Sequence, residues 1–230
     1  MSGFSGSPRL MKGALVLLEG QQDVRRVIPF QYNPESVQRS LRARYQYRDD
    51  DVYGGQPLGL KGPPIESIRL TVELDATDAL EQGSPIAIAA GILPALSALE
   101  SLLYPDSEGV IAEETLAQTG AREIVPAPLP LTLLVWGAKR VVPVRISDID
   151  IEEQTFDPDL NPLTARVAIS LEVLTYRDLG GIRTVGGALS LARHVATEVL
   201  AETHTANGAA DGVGAAVQSL PALLAGFTRR

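Results

Sequence analysis

Alternation of apolar and polar positions is the strongest signal along this chain. Over residues 163–173, Leu163, Ala165, Val167, Ile169, Leu171 and Val173 share one parity, while Thr164, Arg166, Ser170 and Glu172 take the other. Successive side chains of a strand point to opposite faces, so this period predicts a half-buried β-strand. A second such strand runs over 65–74, with Ile68, Leu70, Val72 and Leu74 on one face. A third is read over 40–48, where Leu41, Ala43, Tyr45 and Tyr47 oppose Ser40, Arg42, Arg44, Gln46 and Arg48. Apolar runs at 14–18 and 24–31, parted by a polar turn at 19–23, predict a hairpin. Strands over 129–136 and 140–156 complete the set. In the longer one the apolar phase slips between Ile146 and Ile149. A slip of one residue would turn every later side chain to the opposite face, so a bulge or a break is expected at Ser147-Asp148.

Breaks and helices fall between these runs. Tyr32-Asn33-Pro34-Glu35 and the 157–162 stretch carry Asn, Asp and Pro in turn-forming order. Ser84-Pro85 fits a helix start, with Ser as cap and Pro at the first helical position. Pro94 argues against one straight helix there. The reading is a helix over 95–104 whose core stripe is Leu96, Leu99, Leu102 and Leu103. Residues 105–128 read as an acidic loop with one helical turn over 113–118. After Tyr176, Gly180-Gly181 and Gly186-Gly187 read as bracketing a linker, and 188–202 as an amphipathic helix. A short apolar helix is expected over 214–227, and a mobile Gly/Ser-rich arm over 1–11. The expected organisation is an arm (1–12), a β domain (13–178), and an Ala/Gly-rich linker with a helical tail (179–230). The class is mainly β with helices, α+β.

Composition narrows the function. The chain has 230 residues, with 45% hydrophobic and 21% charged, enough for a real core. A formal charge of −8 argues against nucleic-acid binding, which needs phosphate neutralisation by Lys and Arg. Aromatics at 5%, with one Trp, leave little for a base- or sugar-stacking surface. Without cysteine there is no disulfide, thiolate metal site or Cys nucleophile. The first residues lack the apolar core of a secretory signal, and the apolar stretch over 86–103 is interrupted by Gly91, Pro94 and Glu100. Synthesis and assembly in the cytoplasm, without membrane insertion, are expected.

A search for chemistry returns no constellation. His194 and His204 do not have the spacing of a helical metal site. No nucleophile elbow, P-loop or dinucleotide fingerprint is present. The acidic run at 49–51 reads as a solvated loop tip, and Asp148, Asp150 and Glu152 as one solvated strand face. No catalytic, cofactor or metal residue is assigned, and no cofactor is expected. Arg42, Arg44 and Arg48 are a different matter. They share a strand face, with Arg25, Arg26 and Arg39 nearby, in a chain that is acidic overall. That separation of charge suits head-to-tail packing of copies or docking on an acidic partner.

With these segments placed, the order of motifs resembles the contractile injection system tube-protein family. The family includes tube-initiator and spike-adaptor subunits of phage-tail-like particles. The resemblance runs through Ile28-Pro29-Phe30-Gln31-Tyr32-Asn33-Pro34-Glu35-Ser36, the polar strand from Arg39, and Leu70-Thr71-Val72-Glu73-Leu74-Asp75. It continues through the Leu-rich helix near 94–104, Pro130 to Trp136-Gly137, and Thr155-Phe156-Asp157-Pro158 with Asn161-Pro162. Together these span about residues 13–176. The resemblance implies a tail-tube-like β-barrel or sandwich with one packed helix, stacked as a hexameric ring. It implies a structural place in the baseplate hub, with spike, inner-tube and baseplate partners, in a particle that is released or acts at the cell envelope. Phe30, Asn33, Pro34, Trp136, Gly137, Phe156, Pro158 and Pro162 are then packing and turn residues, and Arg42, Arg44 and Arg48 interface residues. Many members continue into a LysM domain, and no such signature follows Tyr176. A bulk inner-tube protein is the alternative within this class. A cell-wall-binding or hydrolytic tail accessory is the alternative outside it, lacking here a glycan platform or acid/base pair.

Overall fold

The structure, a computed structural model, describes residues 12–19, 23–45, 59–118, 130–137 and 139–208. The expected arm over 1–11, the strand positions Gln46, Tyr47 and Arg48, the acidic run at 49–51, residues 119–128 and the helix expected over 214–227 lie outside the described residues. In chain order the elements are β1 (Ala14–Glu19), β2 (Asp23–Pro29), β3 (Val37–Arg42), β4 (Ile65–Asp75), α1 (Thr77–Glu81), α2 (Pro85–Ala90), α3 (Leu93–Glu100), α4 (Ser107–Gln118), β5 (Leu131–Val135), β6 (Val141–Phe156), β7 (Pro162–Val173) and α5 (Val185–Gly208). The strands form one seven-stranded sheet in the order β2-β1-β5-β6-β7-β4-β3, antiparallel throughout. The mainly β, α+β class read from the sequence is the class observed.

Strand register explains why one face of this sheet is apolar. Ile28, Leu15, Leu134 and Val142 stand side by side across β2, β1, β5 and β6. Further rows pair Ile146 with Leu171 and Ile68, and Ile149 with Ile169 and Leu70. All but Ile146 and Ile149 belong to one buried core cluster, to which α3 adds Leu96 and Leu99; those two are half-buried and pack against it. The expected bulge is present: the β6–β7 register shifts between Ile146 and Asp148. The extra residue moves the buried parity from Val142, Val144 and Ile146 to Ile149 and Ile151, so apolar side chains stay on the core face.

The sheet curls rather than lying flat. β2 and β4 stand near opposite ends of the strand order, yet they line a common cleft with α3. Among the described residues, no ladder joins β2 to β3.

Several expectations need correction. The strand read over 40–48 is β3 at 37–42, and its inward-facing Leu41 is 55% exposed. β3 ends the sheet and, among the described residues, pairs only with β4, with no further strand beside that side chain. The helix placed from Ala95 starts at Leu93, with Pro94 in its first turn, where a missing N–H costs nothing. It ends at Glu100, leaving Leu103 exposed rather than in the core stripe. The single turn expected near 113–118 is a twelve-residue helix, α4. Helix α1 was not expected. The helix read over 188–202 is α5 and begins at Val185, so Gly186 and Gly187 sit in its first turn and not in a linker. A Cβ on Gly187 would fall on the carbonyl oxygen of Gly181, and one on Gly186 would meet Leu131 and Leu179. Glycine there permits close packing, not flexibility.

Candidate assembly interface

The stretch at 30–34 acts as a clasp. The Phe30 N–H donates to the Gly13 carbonyl at 2.8 Å, and the Gly13 N–H donates to Asn33 Oδ1 at 2.8 Å. Gln31 extends its side-chain amide to the end of β4. Its Nε2 donates to the Asp75 carbonyl at 2.6 Å, and its Oε1 accepts the Asp75 N–H at 2.9 Å. One side chain thus imitates a ladder residue and ties the β2 end to β4 where no strand pairing does so. The buried Phe30 ring meets Trp136 at 6.3 Å between centroids, tilted by 52°. Gly13 lies under both rings, with no room for a Cβ.

The other motif residues frame turns. Gly137 has φ of +80° in the tight β5–β6 turn. Asp157 accepts the N–H groups of Asp159 and Asn161 and the Asn161 side-chain amide, each at 2.8 Å. The Asn161 side-chain amide holds the Asp157 carboxyl below the usual range; burial opposes it, and the two backbone N–H groups add to the lowering. Pro162 is buried, and its carbonyl accepts the Ile92 N–H at 2.9 Å, pinning the start of α3 to β7. Pro158 is exposed on the turn, and Pro34 is half-buried at the edge of a polar cleft with Glu35, Glu73 and Arg166. Phe156, expected as a packing residue, is 49% exposed at the end of β6, so within this chain it packs little.

The arginines do not form one face. Arg42 is exposed on the outer side of β3, and Arg48 lies outside the described residues. Arg44 is half-buried. It acts with Arg145 on Asp178, whose carboxyl sits below its usual range. Burial opposes that charge, and the Thr175 hydroxyl and N–H together with the two guanidinium groups outweigh it. Arg39 turns inward to a residue that sequence reasoning missed. Glu66 is 3% exposed and accepts Arg39 Nε at 2.7 Å and Arg193 Nη2 at 2.6 Å. That pair of contacts joins β3, β4 and α5. The signal was available: Glu66 shares the parity of Ile68, Leu70, Val72 and Leu74, and a carboxylate in phase with a buried stripe needs cations.

The acidic residues Asp148, Asp150 and Glu152 are exposed along the outer side of β6, as a solvated face would have them. Among the described residues, no group of His, Asp and Glu could hold a metal ion. No helix among them is long and apolar enough to cross a membrane. Among the described residues the arrangement offers surfaces for packing: the strand edges at β2 and β3, an apolar cleft beside β2, and the exposed second half of α5.

No protein-family model and no curated protein matches the sequence. One solved structure with some similarity is a chain in the virion of a native gene transfer agent particle, 11% identical, with a TM-score of 0.25. The match covers 69% of this chain and 95% of that one.

Proposed function

We propose that this chain is a non-enzymatic structural subunit of a contractile, phage-tail-like particle. Its place is the baseplate hub, where it joins the spike to the inner tube and starts tube assembly. Residues 13–178 form the assembly domain and 179–230 an appended segment. The observation that carries this reading is that the family-like motifs, scattered along the chain, touch one another in the fold. The 30–34 stretch meets Asp75 at the end of the β4 motif and Trp136 of the Trp-Gly motif. The Leu-rich helix is pinned to Pro162 of the Phe-Asp-Pro turn. Among the described residues the outer edges of β2 and β3 pair with no further strand, which suits a subunit completed by its neighbours, because an unpaired edge is a template for another strand.

Co-expression with the cognate spike and inner-tube proteins, followed by negative-stain microscopy, tests this. The expected result is a symmetric ring of this chain, six copies, seated between spike and tube. A stable monomer that never joins such particles would overturn the reading.

A further inference from the structure

We propose that Glu66 makes α5 a strap whose grip is set by the edge strand: Arg193 of α5 and Arg39 of β3 compete for one buried carboxylate, so that loosening either element tightens the other. This coupling lies within one chain and stands whether or not the chain is a particle subunit.

The Glu66 side chain is 4% exposed, and each of its oxygens takes one guanidinium. Arg39 Nε donates to Oε1 at 2.7 Å, and Arg193 Nη2 donates to Oε2 at 2.6 Å. The two arginine side chains are 35% and 28% exposed, so solvent screens the three charges only in part. Pro63-Pro64, Tyr176 and Thr197 wall the same groove. His194 lines it too, but its Nε2 pairs with Glu198 at 3.2 Å, one turn further along the helix.

The charges decide the sign of the coupling. One carboxylate with two guanidinium groups carries a net charge of +1. With Arg39 in place, Arg193 docks on a neutral pair and is repelled by a like charge. With Arg39 withdrawn, Arg193 docks on a bare anion and is drawn more strongly. Undocking then leaves Glu66 with no cation, and an uncompensated carboxylate within the fold is the costly arrangement. By reciprocity, withdrawing Arg193 binds Arg39, and β3 with it, more firmly.

The anatomy of α5 suits a strap. The helix is fixed at its start, where the Gly187 N–H donates to the Thr184 hydroxyl at 3.1 Å and Gly187 packs against the Gly181 carbonyl. Arg193 follows about 9 Å further along the axis. Beyond it, residues 194–204 are exposed. The ion pair therefore clips the middle of a helix that is anchored at one end. Once undocked, such a helix gains little from propensity alone, so undocking and melting go together. Arg39 belongs to β3, which among the described residues pairs with β4 alone. A carboxylate on another chain that drew Arg39 off this edge would tighten the strap, and a contact that lifted α5 would fix the edge.

Native-state hydrogen exchange on the full chain tests this. In Arg39→Met, the amides of Leu189 to Thr197 are expected to exchange about tenfold more slowly than in the unsubstituted chain, although global unfolding, read in β4, becomes easier. Arg193→Met should slow the β3 amides bonded to β4 in the same way. Arg39→Lys keeps a cation beside Glu66 and should leave exchange in α5 within about twofold of the unsubstituted chain. If Arg39→Met does not fold, Arg39→Gln is measured in its place, with the same slowing expected. In denaturant titrations the two Met substitutions together should raise the unfolding constant about tenfold beyond the product of their separate effects, and in a Glu66→Gln background that excess should vanish. Exchange in α5 that is unchanged or faster in Arg39→Met would overturn the coupling, as would arginine losses that simply multiply while Glu66 is present. Slowing by Arg39→Lys as large as that by Arg39→Met would also sink it, because the effect would then come from lost guanidinium packing and not from charge.

Discussion

Glu66 is a carboxylate set into a row of aliphatic side chains, opposite Leu41 and beside the Val173 position. A buried charge of this kind is tolerated because two guanidinium groups reach it, one from the edge strand β3 and one from α5. Arg193→Met keeps the stem and removes the charge. It should lower stability by about 1–3 kcal/mol, the scale of a lost hydrogen bond to a charged group. Denaturant titration measures that loss, and amide exchange in α5 should rise above that in β4. Asp178 gives a pH dependence. Its carboxyl is depressed in the folded state, so its contribution is present above the usual carboxylate range and is lost as pH falls through the folded value. Compared with Asp178→Asn, the native chain should hold a constant advantage above about pH 4 and lose it on further acidification. Unfolding midpoints measured on both from neutral to acid pH check this.

Among the elements, β6 and α5 show how local geometry serves packing. β6 is sixteen residues long and contains a bulge that keeps its apolar positions inward, and β5 pairs only with its first part. α5 begins where two glycines let the helix approach the turn at Gly181. Gly187→Ala should therefore destabilise by about 1–3 kcal/mol, the cost of overpacking, despite the better helix propensity of alanine. Equal or greater stability of that variant in thermal melts would contradict the close approach. Strand parity, the hairpin, the bulge and the Asp157 turn were all legible in the residues, because each depends on neighbours a few positions away. The extent of α4 was not, because Val110, Ile111 and Leu116 are exposed and leave no buried stripe to read.

For the whole molecule, the contrast between Arg42 and Arg44 matters. Arg42 is exposed on the last strand, so Arg42→Glu should impair assembly with spike and tube while unfolding stays unchanged. Arg44 is half-buried and helps to hold Asp178 charged, so Arg44→Glu should lower both assembly and stability. Sedimentation of co-expressed particles, alongside melts of the purified chain, separates the two effects. Equal melts for both variants would remove the folding role given to Arg44. The curl of the sheet belongs to this scale too. The Gln31 side chain bonded to the Asp75 backbone holds together regions 44 positions apart.

The sequence by itself determined which residues face inward along each long strand, where β6 must bulge, and that the chain is mainly β. These follow from backbone period and turn chemistry, which act locally. Only the tertiary structure decided what covers each face. It left Leu41 and Phe156 exposed, with no other element among the described residues covering them. It turned Arg39 inward, where Glu66 needed a cation, and it packed Gly186 and Gly187 into a helix start. The 30–34 stretch, by its residues a strand and an Asn-Pro turn, became a clasp because Gly13, Asp75 and Trp136 converge on it. Periodicity along a chain says which way a side chain points, and only the assembled fold says what it meets there.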